Sequence, residues 1–495
     1  MHKNPLTAID FYKSDHIRQY PDGTTEVYSN FTPRGKHTSR TIEEDKVVFF
    51  GLQYFIKDFL IETWNEEFFK KPKEQVVLKY KRRMDYSLGK DAINMAHIEA
   101  LHDLGYLPIK IKALPEGMRV PRGIPVLTIV NTHPDFFWLT NYIETILSSY
   151  LWKAITSATT AFEYKKLLTQ YATQTGSSMD FVNFQAHDFS FRGMSSYQDA
   201  VVSGAAHLTS FYGTDTVPAI DFLEDYYEVN VEEEMVGCSV PATEHSVMSM
   251  AMEHDEINTF RRLLNDIYPK GTISILSDTW DFWRVITNYV VELKECILKR
   301  DGKLVIRPDS GDPVKIVAGD PNAHKNSPEY KGVIECLWDI FGGSITKKGY
   351  KMLDSHIGVI YGDSVNLDIT KSILQALEKK GFASGNIVFG VGSHTYQYVT
   401  RDNLGFAIKA TSGVVNGKRR DIFKNPKTDS GIKKSAKGLL RVECENGSLV
   451  LYDQQSEKEE KQGLLKEVFL NGKLLKTTSL SSIKKQLNKW GLSHL

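Results

Sequence analysis

The stretch Gly237-Cys238-Ser239-Val240-Pro241-Ala242-Thr243-Glu244-His245-Ser246 sets an imidazole beside a carboxylate, just after a proline and at the expected start of a helix. Histidine is the side chain whose ordinary pKa already lies near physiological pH, and a neighbour such as Glu244 can raise its basicity or orient its ring. Chemistry at neutral pH can be run there. The competing reading makes His245 an ordinary first-turn residue and Glu244 a favourable charge at a helix N-terminus. Other stretches have to decide between the two.

Between residue 180 and about residue 400, short apolar runs end in polar or glycine-rich turns. Residues 181–184 lead to His187-Asp188-Phe189, 273–276 to Ser277-Asp278, and 304–306 to Arg307-Pro308-Asp309-Ser310-Gly311. Residues 357–360 lead to Gly362-Asp363-Ser364, and 386–389 to Gly390-Val391-Gly392-Ser393. Amphipathic helices lie between them, most clearly over 281–299, where Phe282, Val285, Ile286, Tyr289, Val290 and Leu293 recur at helical spacing. Strands alternating with helices imply a parallel sheet, and a sheet that closes or nearly closes gathers these turns at one end. Asp188, Asp278, Asp309, Asp363 and Gly392 then become neighbours in space. Helix capping explains some of the aspartates, but not the repeated company of arginine, serine and glycine.

The flanks read differently. Residues 47–59 suggest a helix or a buried strand, 107–113 a strand, and 138–151 an apolar helix carrying Asn141 and Glu144. Asn446-Gly447 and Asn471-Gly472 each sit between alternating runs, the signal of a type I′ hairpin, so an antiparallel module is expected near the C-terminus. Tyr12 and Arg34 fall in a polar, turn-rich arm whose plain reading is a surface segment packed through its aromatics. Lys424 opens a lysine-rich loop that is either a solvated face or a polyphosphate contact. The polar segment 319–350 reads as a surface excursion.

At 495 residues the chain exceeds the size at which one core keeps growing, so two domains, or a barrel with a large addition, are expected. Lys+Arg and Asp+Glu both number 61, so no overall field recruits nucleic acid or an anionic membrane, and any anion site is local. No apolar run is long enough to span a bilayer and the start lacks the form of a leader, which fits a cytoplasmic enzyme. Cys238, Cys296, Cys336 and Cys444 lie far apart without a CxxC, arguing against a zinc site or a disulfide framework.

Taken together, several motifs resemble the nicotinamide phosphoribosyltransferase family. They are His187-Asp188-Phe189-Ser190-Phe191-Arg192-Gly193, Gly213-Thr214-Asp215-Thr216, the stretch ending in Glu244-His245-Ser246, Arg307-Pro308-Asp309-Ser310-Gly311 and Tyr361-Gly362-Asp363. Asp10-Phe11-Tyr12-Lys13, Pro115-Glu116-Gly117, Thr400-Arg401-Asp402 and Phe423-Lys424 extend the resemblance to both ends. It implies a type II phosphoribosyltransferase, a pentosyltransferase that joins nicotinamide to 5-phosphoribosyl 1-pyrophosphate with Mg²⁺, yielding nicotinamide mononucleotide and pyrophosphate in NAD salvage. It also implies ATP as co-substrate, hydrolysed through phosphorylation of His245, and a homodimer with shared active sites. The fold implied is α/β. An irregular (β/α) barrel-like domain over 180–400 is joined to a second, α+β domain with antiparallel strands, built from 1–179, which includes an interface arm, and 401–495.

By motif position the resemblance assigns roles. Phe189 and Tyr12 stack on the pyridine ring, Tyr12 coming from the partner subunit. Asp215 accepts from the carboxamide and repels the carboxylate of nicotinate. Ser274 and Arg307 reach the amide oxygen, and Arg192 lies beside ring and ribose. Asp309 accepts from the ribose hydroxyls, while Asp278 and Asp363 organise ribose and metal-bound pyrophosphate. Gly392 and Ser393 cradle the 5′-phosphate. Arg34, Arg401, Lys409 and Lys424 meet pyrophosphate or ATP phosphates. No metal held by protein ligands alone is expected.

One motif departs from the family pattern: Gly390-Val391-Gly392-Ser393-His394 stands where a run of three glycines is usual, leaving that loop's backbone open. Three other readings are open too: nicotinate phosphoribosyltransferase, which Asp215 opposes; a metal-dependent phosphohydrolase built on His102-Asp103, His187-Asp188 and His254-Asp255; and a non-catalytic protein on the same scaffold.

Overall fold

Alternation along strand Asp301–Arg307 builds the centre of the catalytic half. Leu304 and Ile306 are fully buried in the core, while Lys303, Val305 and Arg307 line a cavity on the opposite face. The computed structural model describes residues 3–34, 45–362, 365–425 and 435–489. Contacts divide the chain into two compact units, one of residues 1–159, 222–230 and 399–493, the other of 160–221, 231–398 and 494–495.

In the second unit, five parallel strands lie in the order Ala186–Asp188, Ile387–Val391, Ile357–Tyr361, Asp301–Arg307, Lys270–Leu276. Backbone bridges carry the ring further. Asp188 pairs with Thr214, Gly213 with Cys238, and Ala242 with Ser274 on the far edge strand. The result is an irregular barrel whose last staves are single bridges. Helices cover it, and on residues 282–299 all six apolar positions expected from the periodicity are buried. Each such burial contributes about 1.5–3 kcal/mol, enough in sum to fix which face turns inward.

Two expectations need correction. Residues 181–184 are not a strand: Ser178 accepts from the Phe181 N–H and starts helix Met179–Val182, and the strand is Ala186–Asp188. Nor is 319–350 merely a surface excursion. Helix Val333–Phe341 buries Val333, Ile334 and Leu337 completely in the barrel core, and Gly343–Ile345 pairs with Lys351–Leu353.

The first unit is built on a seven-stranded antiparallel sheet in the order Lys418–Asp421, Ala407–Val415, Thr24–Thr32, Leu127–Asn131, Ile109–Ala113, Lys466–Leu470, Lys473–Leu474. Three N-terminal strands form its centre and two C-terminal strands flank them on either side, so both ends of the chain build it, as expected. Both Asn-Gly hairpins form, with φ of 50° and 79° at Asn446-Gly447 and 49° and 80° at Asn471-Gly472, the type I′ pattern. No helix among the described residues is long and apolar enough to cross a membrane.

Candidate active site

The turns after the parallel strands do gather at one end, and a cavity of about 280 Å³ reaches them from within the barrel, lined also by Thr272, Lys303, Ile357 and Asn386 near the beginnings of the strands. Phe189, Asp215, Ser239, Ser274 and Arg307 line it. Phe189 directly follows the strand Ala186–Asp188, and Gly390 on the neighbouring strand makes room for its ring. A Cβ at Gly390 would lie 2.7 Å from Phe189 Cδ2 and 2.8 Å from the Tyr361 carbonyl oxygen. The Arg307 guanidinium stands 5.8 Å from the centre of the same ring.

Asp215 accepts two hydrogen bonds on Oδ1, from Ser239 Oγ at 2.8 Å and His187 Nε2 at 2.8 Å. Burial raises its pKa, but the His187 bond and charge, the Ser239 bond and Arg307 outweigh that and hold the carboxyl below its ordinary value. It is an ionised acceptor at neutral pH. Ser274 Oγ, by contrast, is buried without a hydrogen-bond partner among the described residues. Such an orphan polar atom costs stability unless a ligand satisfies it.

Arg307 holds Asp309, whose N–H donates to Asp278 Oδ2 at 2.8 Å; Ser310 Oγ donates to the same oxygen at 2.6 Å. Asp278 Oδ1 is buried and accepts no hydrogen bond among the described residues. His245, the first residue of helix His245–Met250, presents its Nε2 3.8 Å from that oxygen, with its side chain 58% exposed. Glu244, the residue before the helix, accepts instead from Ser246 Oγ. The turn Phe191–Gly193, carrying exposed Arg192, packs against helix Ser393–Gln397. Gly392 caps that helix at φ −80°, a conformation open to any residue.

Tyr12, Arg34, Arg401 and Lys409 lie elsewhere, together lining a cavity of about 780 Å³ in the first unit. Tyr12 is 59% exposed. Burial and then the charge of Arg34 lower the Lys409 pKa; Glu144 opposes this, and Lys424 and Lys13 add to it. Cations crowded to that degree suit an anionic ligand. Asp363 lies outside the described residues.

Sequence reasoning missed the partnership of His187 with Asp215 and the service of Gly390 and Gly362 as spacers. At Gly362 a Cβ would lie 2.0 Å from Asp309 Oδ1. Asp188, expected at the barrel mouth, is fully buried and accepts from the Ser190 N–H and the hydroxyls of Thr214 and Thr216. Its task is structural. The three His-Asp pairs form no metal site either. His102 meets the Lys71 carbonyl, Asp103 pairs with Lys73, and no three His, Cys, Asp or Glu among the described residues are grouped to hold an ion.

Two solved structures share this architecture. The nicotinate-nucleotide pyrophosphorylase of Pyrococcus furiosus aligns with a TM-score of 0.57 at 16% identity, and human nicotinic acid phosphoribosyltransferase with 0.52 at 14%. Each alignment covers 97% of this chain and 93% of the other. The fold is thus that of the type II phosphoribosyltransferases. Sequence narrows it: the model of the nicotinate phosphoribosyltransferase (NAPRTase) family matches residues 184–473, and that of the nicotinamide phosphoribosyltransferase N-terminal domain matches 4–111. The nicotinamide phosphoribosyltransferase of Acinetobacter baylyi is 59% identical over 98% of this chain and 97% of its own, and that of Xanthomonas campestris pv. campestris 31% over 97% of each. The chain belongs to the nicotinamide phosphoribosyltransferase family.

Proposed function

We propose that the protein transfers the phosphoribosyl group of 5-phosphoribosyl 1-pyrophosphate to nicotinamide, giving nicotinamide mononucleotide and pyrophosphate. The observation that carries this is Asp215, an ionised acceptor in the cavity that also holds Phe189, orphaned Ser274 and Arg307. A primary carboxamide offers N–H donors to a carboxylate and an oxygen to a hydroxyl and a guanidinium. Nicotinate would set one carboxylate against another. The pyridine lies on Phe189.

Its ring nitrogen attacks C1 of the ribose, the C1–O bond to pyrophosphate breaks, and positive charge grows on the sugar while negative charge grows on the leaving group. Asp309 fixes the ribose hydroxyls, and Arg192 with the Gly392-Ser393 turn holds the 5′-phosphate, so the chain supplies orientation and charge and no covalent attack. Asp278 Oδ1, which accepts no hydrogen bond among the described residues, would hold Mg²⁺ arriving with its substrate, and Asp363 is assigned the same duty. Mg²⁺, when bound, neutralises the departing pyrophosphate.

ATP is the second phosphate substrate. Exposed His245, backed by Asp278, takes its γ-phosphoryl group: an N–P bond forms and the bond to the ADP oxygen breaks. Arg34, Arg401, Lys409 and Lys424 engage pyrophosphate or ATP phosphates in a homodimer with shared sites, where the partner subunit's Tyr12 closes the pyridine sandwich. The four free cysteines suit a reducing, cytoplasmic setting. Crystals soaked with nicotinamide test the reading. The ring should lie on Phe189 with its carboxamide nitrogen at Asp215; a ring bound elsewhere contradicts it.

A further inference from the structure

We propose that His187 is a positioning residue that, with Ser239, saturates Oδ1 of Asp215 and so presents Oδ2 to the amide of the substrate. The inference rests on the proposed function and names what sets the selectivity of that site. A carboxylate on a surface loop rotates freely and offers four lone-pair positions. Here one oxygen is occupied twice, by Nε2 of His187 and Oγ of Ser239, both at 2.8 Å. No hydrogen bond reaches Oδ2 among the described residues. Because an ionised carboxylate only accepts, His187 carries its proton on Nε2.

The imidazole is itself held from two sides. Its ring centre lies 4.6 Å from that of Phe189, the platform for the pyridine. Behind it stands Gly213, where a Cβ would come within 2.8 Å of Nδ1 and 3.2 Å of Cγ. One buried ring thereby references both the surface that carries the substrate and the carboxylate that reads its amide. Two charge-assisted donors on one oxygen also keep Asp215 ionised while it faces an amide of no net charge.

The test compares H187F, H187Q and S239A as full-length protein, measuring kcat and KM for nicotinamide and for nicotinate. Phenylalanine keeps a ring against Phe189 but donates nothing. Glutamine loses the ring but returns an N–H near the position of Nε2. H187F should raise the nicotinamide KM about tenfold or more, lower kcat far less, and shrink the preference for nicotinamide by a similar factor. H187Q should recover most of this. Wild-type values in H187F overturn the inference, and so does an H187Q as impaired as H187F, because ring packing would then be what matters. If H187F does not fold, S239A decides: a KM raised about threefold supports the role, and an unchanged one overturns it. Failure of the wild-type protein to use nicotinamide strikes the parent reading and this one with it, whereas normal wild-type turnover with an indifferent H187F strikes this one alone.

Discussion

Arg307 grips Asp309 with two arms of its guanidinium, Nε on Oδ1 and Nη2 on Oδ2, each at 3.2 Å. The same group lies over Phe189, so one side chain ties Asp309, proposed to read the ribose, to Phe189, proposed to carry the pyridine. Lysine cannot copy that fork. R307K should lower kcat/KM about a hundredfold while leaving the thermal midpoint nearly unchanged, which steady-state kinetics and a melting curve will show together.

Gly390 makes a second, separable prediction. The contacts its Cβ would meet are the Phe189 ring and the Tyr361 carbonyl, and the backbone atom cannot step aside. G390A should therefore displace Phe189 and raise the nicotinamide KM more than that of 5-phosphoribosyl 1-pyrophosphate. Equal effects on both substrates, measured by varying each in turn, would speak against Phe189 as the platform.

The turns Ser277-Asp278 and Arg307-Pro308-Asp309 were legible because each follows an apolar run, and the runs 273–276, 304–306 and 357–360 prove to be parts of strands Lys270–Leu276, Asp301–Arg307 and Ile357–Tyr361. Asp215 and the cations of the flanks were picked out by the resemblance alone. Partnerships were not legible. His187 sits next to Asp188 in the chain, yet adjacent strand residues point to opposite faces, so its partner is Asp215, 28 positions on. The same limit explains residues 181–184. A four-residue apolar run has no period that separates strand from helix, and the Ser178 cap decided it. The true strand, Ala186–Asp188, is too short and too polar to announce itself. Helix Val333–Phe341 was hidden by the aperiodic residues before it.

Glu256 offers a test of stability against pH. It is 2% exposed, its Oε1 has no hydrogen-bond partner among the described residues, and its pKa is raised to about 7, by burial first and then by Glu253, Asp281 and Asp278, with Arg284 opposing. The folded state thus holds this proton more tightly than the unfolded state. Stability from the group is complete below the ordinary carboxyl range and is lost as pH rises toward 7. E256Q should raise the thermal midpoint by about 2–4 °C at pH 8 and change it little at pH 4.5, read by calorimetry at both values.

His245 sits exposed beside Asp278 and is not among the residues lining the cavity of Phe189 and Asp215. H245A should keep slow synthesis of the mononucleotide but lose any acceleration by ATP. Product formation with and without ATP checks this, and a variant still stimulated by ATP removes His245 from the coupling.

Everything turns on whether the carboxylate of Asp215 selects an uncharged amide. The most direct measurement supplies nicotinamide and nicotinate together, at equal concentration, with 5-phosphoribosyl 1-pyrophosphate, Mg²⁺ and ATP, and identifies the products. Nicotinamide mononucleotide should dominate with the wild-type protein, and D215N should narrow the ratio. Nicotinate mononucleotide as the main wild-type product, or a D215N ratio equal to that of the wild type, would contradict the assignment.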